Sequence, residues 1–282
     1  MNAATLAPEI APRQIKTRRV EFRYPEGELP HYYVNGDPVM SHATALLSAV
    51  FPEGEDFFVR SVRNYRDKIT DAELKKQVGG FIGQESIRGR EHRQFNQRLQ
   101  KMGYQTWIVD RGVRYGLAIA ARLLPKSFQL AMTAALEHYT AAMAEVLLAN
   151  ADAPAFQGSP EVSMFQWHAL EESEHKAVAY DVFQTVSGKR WIRALVMDAI
   201  TVGFVALVFF GTVASLLIDP HTYRHPRQVV RGLRALKTNP WVQRPVWRRL
   251  RDYNRKDFHP DDHDNAALTA EWRAKLFGDP TA

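Results

Sequence analysis

The sequence predicts an all-α protein built as a helical bundle, with an added hydrophobic helix and a basic helical C-terminal region. Three observations carry that expectation. Between residues 41 and 188 nearly every segment repeats its apolar residues at helical spacing between helix-cap signals. Residues 199–218 contain no charge at all. Residues 220–256 hold eleven Lys or Arg against one acid, Asp252, a local charge of +10 in a chain of net +6.

In chain order, residues 1–40 carry scattered prolines and form an extended arm, in which Arg18-Arg19-Val20-Glu21-Phe22-Arg23-Tyr24 is at most a short strand. Residues 42–50 read as a short helix interrupted at Pro52 and Gly54, and a new helix runs over 53–68. Thr70 and Glu73 have capping-box spacing and open a helix to residue 101, with Gly103 past its end. Pro125 separates helices over 105–123 and 126–149. Ser159 and Pro160 make an N-cap and first-turn pair for a helix that ends near Gly188. The chain therefore divides into an arm (1–40), a bundle (41–188) and a C-terminal part (189–282).

Composition narrows the chemistry. The 45% hydrophobic and 24% charged content is that of a folded chain. There is no cysteine, which excludes disulfides, thiolate nucleophiles, zinc–thiolate sites and iron–sulfur clusters. Any metal must be held by His and carboxylates. Neither a Gly-rich phosphate loop nor a Gly-x-Ser-x-Gly elbow occurs.

The segment Trp167-His168-Ala169-Leu170-Glu171-Glu172-Ser173-Glu174-His175 puts His168, Glu172 and His175 on one helical stripe. At about 100° per residue, positions four before and three after Glu172 lie within about 60° of it. Glu-x-x-His is half of the ligand pattern of di-iron and di-manganese bundles, which take a second such pair and one Glu from each of two further helices. Glu137 lies on a helix otherwise rich in Ala, Leu and Met, where an unpaired acid is costly. Glu55, beside Phe57 and Phe58, begins an earlier helix. Glu85 stands on a fourth, but Arg88 occupies the position where the pattern has His. His92 lies two turns further along that stripe, about 10 Å in rise.

Gln84-Glu85 with His92, Glu137-His138, the His168/Glu172/His175 triplet and Asp257-Phe258-His259-Pro260-Asp261-Asp262 together resemble the bacterial family of predicted metal-dependent hydrolases, over roughly residues 15–265. The triplet is also similar to that of the di-iron aminobenzoate N-oxygenases. The resemblance implies a ferritin-like bundle with Glu55, Glu85, Glu137, His168, Glu172 and His175 as metal ligands. Arg88, His92 and His138 stand beside them, and Arg88 replaces the His of relatives.

Arg88 has two readings. It pairs with Glu85 as a buried ion pair, which leaves a mononuclear or lapsed site, or it points away while His92 and water complete the shell. Glu171 and Glu174 read as surface acids and His259 as a structural loop histidine. The leading expectation for function is oxidation of a small apolar substrate by two irons and dioxygen, with Mn or Zn as alternative metals. Hydrolysis by a metal-activated water is the second, and a membrane-associated scaffold with a vestigial site is the third. Residues 199–218 are either a membrane helix or a fully buried one. A simple span with its basic flank inside conflicts with a cytoplasmic bundle, which favours a re-entrant or interfacial helix. Trp241 and Trp247 among the arginines of 190–256 suit anionic lipid, and nucleic acid is not expected. These readings predict a cytoplasmic protein, peripheral or integral at the inner membrane, and are compatible with a homodimer.

Overall fold

The computed structural model describes residues 10–22, 30–153, 156 and 161–278, with backbone alone at 161 and 162. Among these residues the chain is all-α. Its helices are α1 (Pro38–Arg63), α2 (Ala72–Lys101), α3 (Thr106–Leu123), α4 (Lys126–Ala149), α5 (Glu161–His175), α6 (Val178–Val186), α7 (Arg190–Ile218), α8 (Pro220–Arg224), α9 (Pro226–Ala235), α10 (Arg244–Asp252) and α11 (Ala266–Phe277).

Two antiparallel pairs form the centre. The α1–α2 pair is marked by Ser48 opposite Asn96 and Glu55 opposite Arg88. In the α4–α5 pair Thr140 faces Glu172 and Glu137 faces His175. The main apolar core joins Phe57, Phe81, Leu130, Phe183 and Met197 with Tyr253 and Phe258. The C-terminal region therefore packs into the bundle through its aromatic residues.

Several local expectations are corrected. Pro52 does not end the first helix: α1 runs through it to Arg63. A proline lacks the N–H that bonds the carbonyl four residues back. Here that carbonyl, of Ser48, accepts from Asn96 Nδ2 of α2 at 2.9 Å, so the bond lost within α1 is replaced from its neighbour. The N-cap of α2 is Asp71, whose carboxylate accepts from the Leu74 amide at 2.7 Å, and not Thr70. The motif helix ends at His175, and α6 is separate, although neither Gly nor Pro marks the break. At the break the Lys176 ammonium bonds the His263 carbonyl and Asn265 Oδ1, a long-range contact with no local signal. Ser159, Pro160, Arg23 and Tyr24 lie outside the described residues.

Residues 10–22 have no regular structure and run along α2 and α5. A Cβ on Gly83 would stand 2.0 Å from Thr17 Oγ1, so only glycine lets the arm pass this close to α2. Arg13 reaches Gln77 and Asp181, and Arg18 reaches Glu174.

The apolar helix α7 packs on α1 and α4, with Phe204 against Tyr139. It is long and apolar enough to cross a membrane, by length and composition. Only 11% of its most apolar stretch is buried, which overturns the fully buried alternative. Phe209 and Phe210 are exposed, as are Trp107, Tyr115, Ile119 and Leu123 of α3, which also packs on α1.

Candidate metal centre

The six residues expected as ligands converge from four helices: Glu55 on α1, Glu85 on α2, Glu137 on α4, and His168, Glu172 and His175 on α5. All are buried. One group of donor atoms comes from Glu85, Glu137, Glu172 and His175, all within 4.8 Å of one another; a second comes from Glu55, His92 and His168. Glu55 lies in mid-helix, where Gly89 of α2 makes room for it: a Cβ there would stand 3.0 Å from Glu55 Oε2.

Hydrogen-bond accounting fixes which imidazole nitrogens face the cluster. Gln84 Nε2 donates to Glu174 Oε2 at 2.7 Å and to the Lys16 carbonyl at 3.1 Å, so its Oε1 accepts from His175 Nδ1 at 2.8 Å. His175 Nε2 is thereby left for the cluster, 3.2 Å from Glu137 and 3.3 Å from Glu85.

A second relay orients His168. Asn96 spends its amide on the Ser48 carbonyl, so Ser48 Oγ donates to Asn96 Oδ1 at 2.8 Å. Ser48 Oγ must then accept from His92 Nδ1, and His92 Nε2 accepts from His168 Nδ1 at 2.7 Å. His168 Nε2 is left as a bare lone pair 3.1 Å from Glu172 Oε1. Burial holds His168 down to about 4, so it carries no proton of its own to place between them. Imidazole nitrogen bound through one atom and oriented through the other is the usual construction of a metal-binding histidine.

The electrostatics of the cluster are strongly perturbed by burial. Burial pushes Glu55 and Glu137 up, and raises Glu85 to about 8. For Glu172 burial acts upward too, but Arg88 and the two histidines outweigh it and hold that carboxylate well below its usual range. Both oxygens of Glu137 and of Glu55 find no hydrogen-bond donor among the described residues. Donor atoms about 3.0–3.3 Å apart are the edges of a shell with bonds of about 2.0–2.2 Å. In the set Glu85, Glu137, Glu172 and His175 the imidazole nitrogen stands 3.3, 3.2 and 3.8 Å from the three carboxylates, a donor set and spacing compatible with one divalent transition metal.

Arg88 lies within the carboxylate cluster. Its guanidinium contacts Glu85 Oε1, stands 2.6 Å from Glu172 Oε1 and 3.5 Å from Glu55 Oε1, and is fully buried. Of the two readings open from the sequence, the buried ion pair holds, and it includes three carboxylates rather than one.

A family model described as "Predicted metal-dependent hydrolase" matches residues 16–264. The chain belongs to that family. No curated protein and no solved structure matches it.

Other expectations for this member of the hydrolase family change. His138 faces away from the cluster: its Nε2 donates to the Arg249 carbonyl at 2.9 Å and its ring packs on Tyr253 and Phe258. One residue on from Glu137 is about 100° around the helix, which turns it to the opposite wall. Glu171 and Glu174 are buried rather than surface acids. Arg18, Arg273 and Gln84 bind Glu174, and burial raises Glu171 to about 8. His259 keeps the structural reading, with Nε2 on Asp181 at 2.8 Å.

A narrow apolar crevice of about 40 Å³ leads to His168 and Glu172. Leu47, Phe51, Phe165 and Trp241 line it, together with Phe204 of α7.

Proposed function

We propose that this protein is a metal-dependent hydrolase of an apolar ester or amide, working with one divalent ion held by Glu85, Glu137, Glu172 and His175. The observation that carries this reading is the Arg88 guanidinium among Glu55, Glu85 and Glu172, which supplies a fixed positive charge where a dinuclear site needs its second metal. A bound divalent ion supplies Lewis acidity and lowers the pKa of water to near neutrality. His168 Nε2, bare and at the end of the crevice, accepts a proton there and returns it to the leaving group. Arg88 holds Glu172 ionised. The crevice walls exclude water and select an apolar acyl group. At its present volume the crevice admits water and not a substrate, so Phe51 or Phe204 must swing aside on binding.

The test uses the full chain, stripped by a chelator and reloaded with one equivalent of Zn or Mn, against nitrophenyl esters of increasing acyl length. Hydrolysis restored by metal, rising with chain length and abolished in His175→Ala, is the expected result. Metal-independent turnover, or none with any ester, overturns it.

Oxidation by two irons and dioxygen is the second reading. The Glu55, His92 and His168 group favours it, since these donors would complete a second position if Arg88 withdrew. It also requires the ferritin-like arrangement of ligands. Two irons per chain with iron-dependent oxygen consumption would select it over hydrolysis.

The exposed apolar face of α7 and α3 belongs to the same reading, resting on anionic lipid from which an apolar substrate enters. Charge complementarity argues for lipid: Arg224, Arg227, Arg231, Arg234, Arg244 and Arg248, in the helices that follow α7, are all exposed.

A further inference from the structure

A second imidazole–carboxylate cluster lies apart from the metal centre and shares no residue with it. Asp219, at the junction of α7 and α8, is buried and receives histidines from three directions. His31 Nε2, from the segment before α1, is 2.8 Å from Asp219 Oδ2. His42 Nε2, from the first turns of α1, is 3.1 Å from the same oxygen. His221 Nδ1 is 3.1 Å from Oδ1, and the His221 ring stacks on that of His31 with centroids 3.9 Å apart.

We propose that His31, His42 and Asp219 form a second divalent transition-metal site, which staples the segment before α1 to the C-terminal end of the apolar helix α7. Their three donor atoms lie within 4.8 Å of one another. Separations of 2.8 and 3.1 Å between donors are close to the edges of a shell with bonds of about 2.0–2.2 Å. Two imidazoles and one carboxylate suit a borderline ion such as Zn, Co or Ni rather than Ca or Mg, which take mainly oxygen.

The supporting residues are those that a metal site uses. Ser215 Oγ, one turn before Asp219 on α7, holds His42 Nδ1 at 2.7 Å and fixes the ring. Tyr104 braces the segment from the other side, donating to the His31 carbonyl at 2.6 Å and stacking on the His31 ring. The His31 side chain is 21% exposed and His221 44%, against 3% for His42. An ion therefore enters from the His31 side, and His221 or water can close the shell. A polar knot at this place has a mechanical use: α7 presents apolar residues outward, and the knot adds a polar tie to the packing of its end on α1.

Cobalt(II) ion alone is the probe, added to the stripped full chain carrying Glu137→Gln and His175→Ala so that the main centre is disabled. The expected result is one Co per chain with the visible absorption of a nitrogen- and oxygen-ligated ion, lost in His42→Ala and weakened at least about tenfold in Asp219→Asn or His31→Gln. His31→Gln carries the test if the buried variants fail to fold, because His31 is partly exposed. Cobalt uptake unchanged by His31→Gln and His42→Ala, or no uptake once the main centre is disabled, overturns the proposal and leaves a hydrogen-bonded helix cap.

Discussion

The centre of this protein and its α7 surface invert the usual distribution of polarity in opposite senses. Around Arg88 four carboxylates, one guanidinium and three imidazoles are shut away from water. On α7 and α3, Phe209, Phe210, Trp107, Tyr115 and Leu123 face outward. Burying unpaired charge costs several kcal/mol per group, and a continuous apolar exterior invites association. The interior carries a compensating charge, Arg88, covalently, and among the described residues nothing covers the apolar face. The difference sets an interior whose buried charge is balanced partly within the chain against an apolar surface that is left exposed.

Arg88 is the sharpest place to break that contrast. Arg88→Met in the stripped protein leaves the carboxylates without a cation and should cost about 3–5 kcal/mol of stability, read by denaturant unfolding. Arg88→His completes a second Glu-x-x-His and should raise tightly bound divalent metal from one to two per chain, by elemental analysis. If Arg88→His still binds one ion, or if Arg88→Met is as stable as the parent, Arg88 does not occupy a metal's place.

The centre was legible in the sequence because helical spacing alone puts His168, Glu172 and His175 on one stripe, and an acid among Ala, Leu and Met has to be explained. Arg88 was legible as a departure at i+3 from Glu85, though not as a contact of Glu55 and Glu172, which come from other helices. What failed depended on long-range covering. Glu171 and Glu174 read as surface acids because the arm and α11 that bury them, through Arg18 and Arg273, are far off in sequence. Pro52 read as a helix end because the rescue by Asn96 comes from α2. His31, His42 and Asp219 have no spacing that relates them, and only the packing of α7 on α1 brings them together.

Glu171 offers a smaller effect with a defined sign. Burial raises its carboxyl to about 8, from an ordinary value near 4.5. A raised acid binds its proton more tightly when folded, so its contribution is fully present below about pH 4.5 and is lost as pH rises toward 8. Glu171→Gln keeps the shape without the ionisation. In stripped protein it should flatten the fall of stability between pH 5 and 8, by at most about 1.4 kcal/mol per pH unit. Parallel pH–stability curves for the two proteins would mean that Arg18, 3.7 Å away, keeps Glu171 ionised throughout.

The exterior should respond least in stability and most in location. Phe209 and Phe210 are 61% and 65% exposed, so changing both to Ser removes little packing and should leave unfolding within about 0.5 kcal/mol of the parent. The same change should weaken binding to vesicles of anionic phospholipid, because each buried aromatic ring adds about 1.5–3 kcal/mol at an apolar surface. Neutral vesicles should bind less than anionic ones, and added salt should reduce the difference, since the arginines of α9 and α10 act through a screened field. Binding that resists salt but fails with the Phe changes would assign attachment to α7 alone. A variant that stays monomeric where the parent self-associates, with no change on vesicles, would assign the apolar face to a second copy of the chain. In either case metal binding at the interior should be unchanged, because none of the candidate ligands lies on α7.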